Sequence, residues 1–217
     1  MPEIRDLRRR RAQWRPAMSP IVEDVVRPRD ERSEMFTRGS TVRSTMEFLG
    51  DLLPSAEVVK ILNRLSAADR RTIRTVADTD EIPYRVALAL WRSVDQALRI
   101  TDPGWIDRSG SWSIERAAMR LYSGLIRKPS PVDFLTQQIS LFHLYYRPGD
   151  MIVVEQGGGR AVTRLVGFEP QETLFCRRLN GGWLAALRIA GGRDVTAVHN
   201  RCSLEGDLFC EWDLRWR

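Results

Sequence analysis

The sequence contains no run of about eighteen consecutive apolar residues, so nothing in it reads as a membrane span. Its first residues carry arginines but no apolar core of the kind a secretory signal needs. Glu3, Asp6, Glu23 and Asp24 speak against an arginine-rich organellar leader. Cysteine is scarce: three in 217 residues, an odd number that does not suit a disulfide-stapled secreted fold. The expected compartment is therefore the reducing cytoplasm. With only two histidines, no Ser/His/Asp arrangement can be argued. The glycine cluster Gly157–Gly159 lacks the lysine and Ser/Thr of a phosphate loop. Glu155, Glu169 and Glu172 read as surface acids. These gaps together point to a non-enzymatic protein.

What the chain does have is an uneven charge. The formal net charge is +6, and residues 1–16 hold six arginines against Glu3 and Asp6, leaving +2 for all the rest. Residues 1–38, with four prolines and the charge-dense RPRDERSE, read as a disordered basic tail. Arg8, Arg9, Arg10 and Arg11 could neutralise phosphates in a salt-dependent way, and Trp14 could stack on a base. A solubilising tail, or a contact for an acidic protein, fits the same composition. Binding of nucleic acid through this tail is the alternative function.

Residues 39–148 read as a helical subdomain. Ser40 is placed to cap a first helix carrying Val42, Met46, Phe48 and Leu49. Ser66 with Asp69 resembles a capping box, and Pro83 suits the first turn of a helix through Leu98. The glycines and proline of 101–110 predict a loop, followed by helices at 112–127 and 131–146.

At Asp150 the pattern changes. Met151–Gln156 and Ala161–Phe168 are β-rich runs split by Gly157–Gly159, a hairpin signal. Helical periodicity returns over 170–190 and ends at Gly191–Gly192. Strands follow at 194–201 and 208–216, the last alternating Leu208, Cys210, Trp212, Leu214 and Trp216 with the mostly charged Phe209, Glu211, Asp213 and Arg215. The fold class is α+β: a helical subdomain, then at 149–217 a β-hairpin–helix–β-hairpin domain with a four-stranded antiparallel sheet.

Cys176, Cys202 and Cys210 all fall in the last 42 residues, and His199 lies three before Cys202. Thiolate and imidazole are the ligands zinc prefers, and four of them close a tetrahedral site. The spacing matches no common zinc finger, and Cys210 on an apolar face is equally well a small buried hydrophobe. On a regular strand His199 and Cys202 point to opposite faces, so a bulge or a strand end is required at Cys202.

The pattern Cys176-x4-Gly181, Gly192-Arg193, His199-x2-Cys202-x3-Gly206-x3-Cys210 resembles the 4-vinyl-reductase domain, of the superfamily that also holds heme-NO-binding domains. The resemblance covers about residues 150–217. It implies a sensory domain like that of phenol-responsive activators, in which three similar cysteines hold a structural zinc beside an aromatic-ligand pocket. Those activators use a glutamate as fourth ligand, where this chain offers His199. The helical part is similar to an uncharacterised paralogous family abundant in myxobacteria. The implied metal set is Cys176, His199, Cys202 and Cys210, with Trp183, Phe142 and Tyr146 as candidate pocket residues. Heme is not expected, because the Tyr-x-Ser-x-Arg motif of heme-binding members is missing and His143 reads as a packed side chain. The expected function is a sensor or adaptor that binds a small apolar ligand and signals through a protein partner or a homodimer, without a membrane.

Overall fold

A computed structural model describes residues 34–121, 130–140 and 142–217 of the chain. Strand β1 (Phe36–Arg38) runs directly into α1 (Gly39–Leu52), so regular structure begins three residues before Gly39. The expected Ser40 cap is not used: Arg38 is the cap residue, and its side chain makes no capping bond. Helices α2 (Ser55–Asn63) and α3 (Ala67–Thr75) follow. The Ser66 hydroxyl accepts from the Asp69 amide at 3.0 Å and donates to the Asp69 carboxylate at 2.7 Å. Aspartate thus serves where a capping box usually has glutamate.

Strand β2 (Glu81–Pro83) leads into α4 (Tyr84–Leu98), with Pro83 just outside the first turn. Helix α4 is the hub of the helical half, burying Tyr84, Val86, Leu88, Leu90, Trp91 and Val94. Apolar residues recurring around three sides make it a core helix, not a surface one.

Helix α5 (Trp105–Leu121) corrects the loop expected through Gly110. Trp105 and Ile106 are fully buried, and the Trp105 indole donates to Asp95 at 3.1 Å. Gly110 reads as a breaker in sequence, but here it permits a close approach. A Cβ at this position would lie 1.9 Å from the Arg178 carbonyl oxygen of the helix crossing it. After α5 come α6 (Pro131–Ser140), α7 (Phe142–Tyr145) and β3 (Tyr146–Arg147). The expected helix ends near 127 and the break at Lys128–Pro129 lie outside the described residues. Strands β2, β1 and β3 pair antiparallel in that order, a small sheet that joins the starts of α1 and α4 to the end of α7.

Strands β4 (Asp150–Gly157) and β5 (Arg160–Val166) pair across Gly157–Gly159. Helix α8 (Thr173–Ile189) ends at Gly191, whose φ of +89° suits a residue without a Cβ. Strands β6 (Thr196–Arg201) and β7 (Cys210–Arg215) complete a four-stranded antiparallel sheet of order β4-β5-β7-β6. Cys210, Trp212 and Leu214 face the core, while Leu208, expected on that face, precedes the strand and is 96% exposed. Asp213 on the opposite face is covered by Arg160 and Arg215. Helix α8 lies between this sheet and α5, and buried residues of both halves form one continuous core. The structure is thus α+β, with eight α-helices among the described residues and two antiparallel sheets. The second sheet was not expected, because strands of two or three residues leave no periodicity to read. Among the described residues no helix is long and apolar enough to cross a membrane.

Candidate metal centre

The thiols come from three places in the chain. Cys176 is in the first turn of α8, Cys210 opens β7, and Cys202 lies between β6 and a single 3-10 turn at Ser203–Glu205. That turn is closed on itself. The Cys202 amide donates to the Asp207 carboxylate at 2.8 Å, and the Cys202 carbonyl accepts from Glu205 and Asp207 amides. Gly206, at φ +96°, lets the chain double back toward Cys210.

His199 reaches the same place because β6 is irregular. His199 pairs with Trp212 and Arg201 with Glu211, so Asn200 is an extra residue without a cross-strand partner. This bulge puts Asn200 and Arg201 outward in succession and returns Cys202 to the inner side. The parity conflict read in the sequence is resolved by that one residue. The imidazole stacks on the Trp212 ring at 4.5 Å and 17°, which fixes its plane.

One potential ligand atom each of Cys176, His199, Cys202 and Cys210 lies within 4.8 Å of every other. The three cysteines are free thiols and are 2%, 4% and 1% exposed. Cys176 and Cys210 sulfurs are 3.9 Å apart. A tetrahedral ion with bonds of ~2.3 Å would hold two sulfurs ~3.8 Å apart, so the spacing needs little adjustment. The buried Nε2 of His199 has no hydrogen-bond partner. A buried polar atom left unpaired is costly, and ligation of the ring is one way to satisfy it.

The three thiols differ electrostatically. The Cys176 thiol donating to it holds Cys210 well below the usual thiol range, helped by the Ser203 amide and hydroxyl and opposed by burial. That same hydrogen bond, then burial, pushes Cys176 far up. Burial raises Cys202. Without a cation the pocket therefore favours one thiolate, and a divalent charge among the sulfurs would favour more.

The other expected site residues are dispersed. Phe142 and Tyr146 join Tyr84, Phe168 and Phe175 in a cluster of rings with centroids 5.0–6.2 Å apart. Trp183 is buried on α8, but among the described residues it shares no ring contact with that cluster. Arg8, Arg9, Arg10, Arg11 and Trp14 lie outside the described residues. Sequence reading missed Arg178, which is buried on α8. A signal was present: Leu174, Arg178, Gly181 and Ala185 share one helical face, and the arginine interrupts an otherwise small and apolar stripe.

No protein-family model matches the sequence, and no curated protein matches it either. Solved structures do match. An H-NOX protein from S. oneidensis in its Fe(II) ligation state superposes with a TM-score of 0.66 at 12% identity, over 83% of this chain and 96% of that one. The same organism's H-NOX protein in its Fe(II)NO state gives 0.65 at 12%, covering 83% and 99%. The unliganded Fe(II) H-NOX protein from K. algicida gives 0.62 at 9%, covering 83% and 96%. The fold is therefore the one shared by H-NOX domains.

This likeness overturns the exclusion of heme. The chain has the fold of domains solved with Fe(II), so a missing Tyr-x-Ser-x-Arg motif does not set it apart from them. A heme iron takes its axial donor from histidine, thiolate or tyrosine. His143 is exposed and His199 stands in the thiol cluster. The Tyr84 hydroxyl donates to the Pro170 carbonyl at 2.8 Å, and burial pushes its pKa well above the ordinary tyrosine value. The described histidines and Tyr84 supply no such ligand.

Proposed function

We propose that this chain is a sensor-type domain on the H-NOX-like fold, with Cys176, His199, Cys202 and Cys210 holding one structural divalent metal ion. The reading is supported above all by four soft donors from three separate elements within 4.8 Å of one another, three of them buried thiols. Zinc is the ion to test first, because thiolate and imidazole in a closed tetrahedral set are its structural ligands. Bound there, the ion would tie the first turn of α8 to the β6–β7 connection. It would contribute to folding and carry no chemistry, since a four-donor shell leaves no open position.

On this reading residues 39–148 form a helical subdomain and 149–217 a vinyl-reductase-like unit, with a ligand seat where helices meet sheet. The signal would pass to a protein partner or a second copy of the chain. The test is elemental analysis of the purified protein with thiol titration before and after chelation. About one zinc per chain, with thiols unreactive until the metal is removed, is the expected result. Metal-free protein with three freely reacting thiols would defeat the proposal.

A further inference from the structure

Arg178 is two residues beyond Cys176 and so projects from the other side of α8, away from the thiols. It is 6% exposed. Its guanidinium donates to the Ser44 hydroxyl at 3.0 Å and to the Ser109 hydroxyl, and lies 5.5 Å over the Trp91 ring. The Tyr146 hydroxyl is in hydrogen-bonding reach, as it is of Thr37 and Thr41. Ser44 is itself held by a bond from Ser113 at 3.1 Å. No described carboxylate is within ion-pair distance of Arg178.

This inverts the pattern of the rest of the fold. Arg85, Arg160, Arg164 and Arg177 are more exposed, and each has an acid: Asp69, Asp213, Glu211 and Asp107. Among the described residues, the one nearly inaccessible guanidinium has only hydroxyls and a ring face as partners. Hydroxyl dipoles and an aromatic face can solvate a buried cation but do not neutralise it, and an uncompensated buried charge is costly. Tyr146 joins this polar hub to an apolar wall. Its hydroxyl faces Arg178, while its ring packs on Phe142, Phe168 and Phe175 at 5.3, 5.5 and 5.1 Å.

We propose that Arg178, with Ser44, Ser109 and Tyr146, is a recognition site for the carboxylate of a small aromatic acid. The planar guanidinium fork takes a carboxylate by two parallel hydrogen bonds, and serine hydroxyls can turn to donate to the same oxygens. The aromatic cluster beside Tyr146 supplies the surface on which the acid's ring would pack. The inference stands apart from the metal centre, which is across α8, and narrows the ligand of the proposed sensor to an anion.

The test is thermal unfolding of the full chain in sodium benzoate at constant ionic strength, with benzyl alcohol as the neutral counterpart. Benzoate should raise Tm progressively, as a ligand bound only by the native state must, and benzyl alcohol should not. Arg178→Met should weaken the apparent benzoate affinity by about tenfold or more, the loss expected for a charge-assisted hydrogen-bonded pair. Tyr146→Phe should weaken it less, and serves as the reading if Arg178→Met does not fold. Metal content, measured on the same samples, should match wild type in both variants. No response of the wild type to benzoate, or an equal response in the variants, would overturn the proposal. A less stable Arg178→Met protein, with benzoate inert throughout, would make Arg178 a structural cross-tie only.

Discussion

Gly181 and Gly50 both sit inside helices, yet alanine should act on them with opposite sign. In α8, a Cβ on Gly181 would stand 1.9 Å from the Asp107 carbonyl oxygen, about 1.5 Å short of the 3.4 Å at which ordinary contact begins. Neither partner can yield alone, because Gly110 of α5 is under the same constraint from the Arg178 carbonyl of α8, also at 1.9 Å. The helices must separate, and the Arg177–Asp107 ion pair and the Ser111–Gly181 hydrogen bond across the crossing would stretch. Overpacking of this kind costs about 1–3 kcal/mol or more. Alanine's better helix propensity returns about 1 kcal/mol, so Gly181→Ala should lose up to about 2 kcal/mol net, or more if the helices cannot separate. A Cβ on Gly50, in α1, meets nothing within 4 Å, so Gly50→Ala keeps only the propensity gain of about 0.5–1 kcal/mol. Urea unfolding of both variants, metal-loaded alike, measures the contrast. A Gly181→Ala protein as stable as Gly50→Ala would show that the α5–α8 crossing is not the tight contact described.

Three further outcomes are expected. Cys202→Ser and Cys210→Ser should each lower Tm and leave the protein with substoichiometric metal by elemental analysis, while unchanged melting in both would remove the metal from the fold. His199→Gln should weaken metal retention in a chelator competition, whereas His143→Gln, at an exposed position, should leave it unchanged. Hydrogen bonds from Arg215 and Arg160 hold the Asp213 carboxyl down at about 2, below its unfolded range. Its contribution of about 1–2 kcal/mol is therefore present above pH ~4 and lost as pH falls through the folded value. Asp213→Asn should be destabilising at neutral pH, and the gap to wild type in urea melts should close between pH ~4 and ~2. A gap independent of pH would mean that the carboxylate charge is not what matters there.

Much of this was legible because local chemistry and tertiary demand agree. Gly157–Gly159 between two β-rich runs is a turn by its own backbone freedom, and the structure pairs β4 with β5 across it. Ser66 and Asp69 close their cap within a single turn, so no distant residue was needed to read it. The candidate donor set was what the resemblance implied, since residue type and spacing alone left Cys210 open as a buried hydrophobe, and the structure brings the four side chains together. What stayed hidden depends on partners far away in sequence. Gly110 looks like a breaker until α8 is placed against it. Strands β1, β2 and β3 are too short to carry an alternation. Arg178 shows as buried only when α1, α4 and α5 surround it. Heme was set aside on the absence of a motif, and a fold recognised at 9–12% identity shows how little a missing motif says.

Asn200 changes what a length variation would mean for this chain. Because it is the one unpaired residue of β6, it works as a phase shifter: the strand on one side of it is out of step with the strand on the other. Deleting it would leave all four donors in the sequence and put His199 and Cys202 two positions apart, on one face of a regular strand with no bulge needed. Inserting a second residue beside it would again put them an even number apart on one face, but about 3.3 Å farther along the strand. The constellation is thus written in two separate ways, by the identity of its donors and by the count of residues between them. In relatives of this chain, an odd separation between the histidine and the cysteine would require a bulge to hold both donors on one side, whereas an even separation would not.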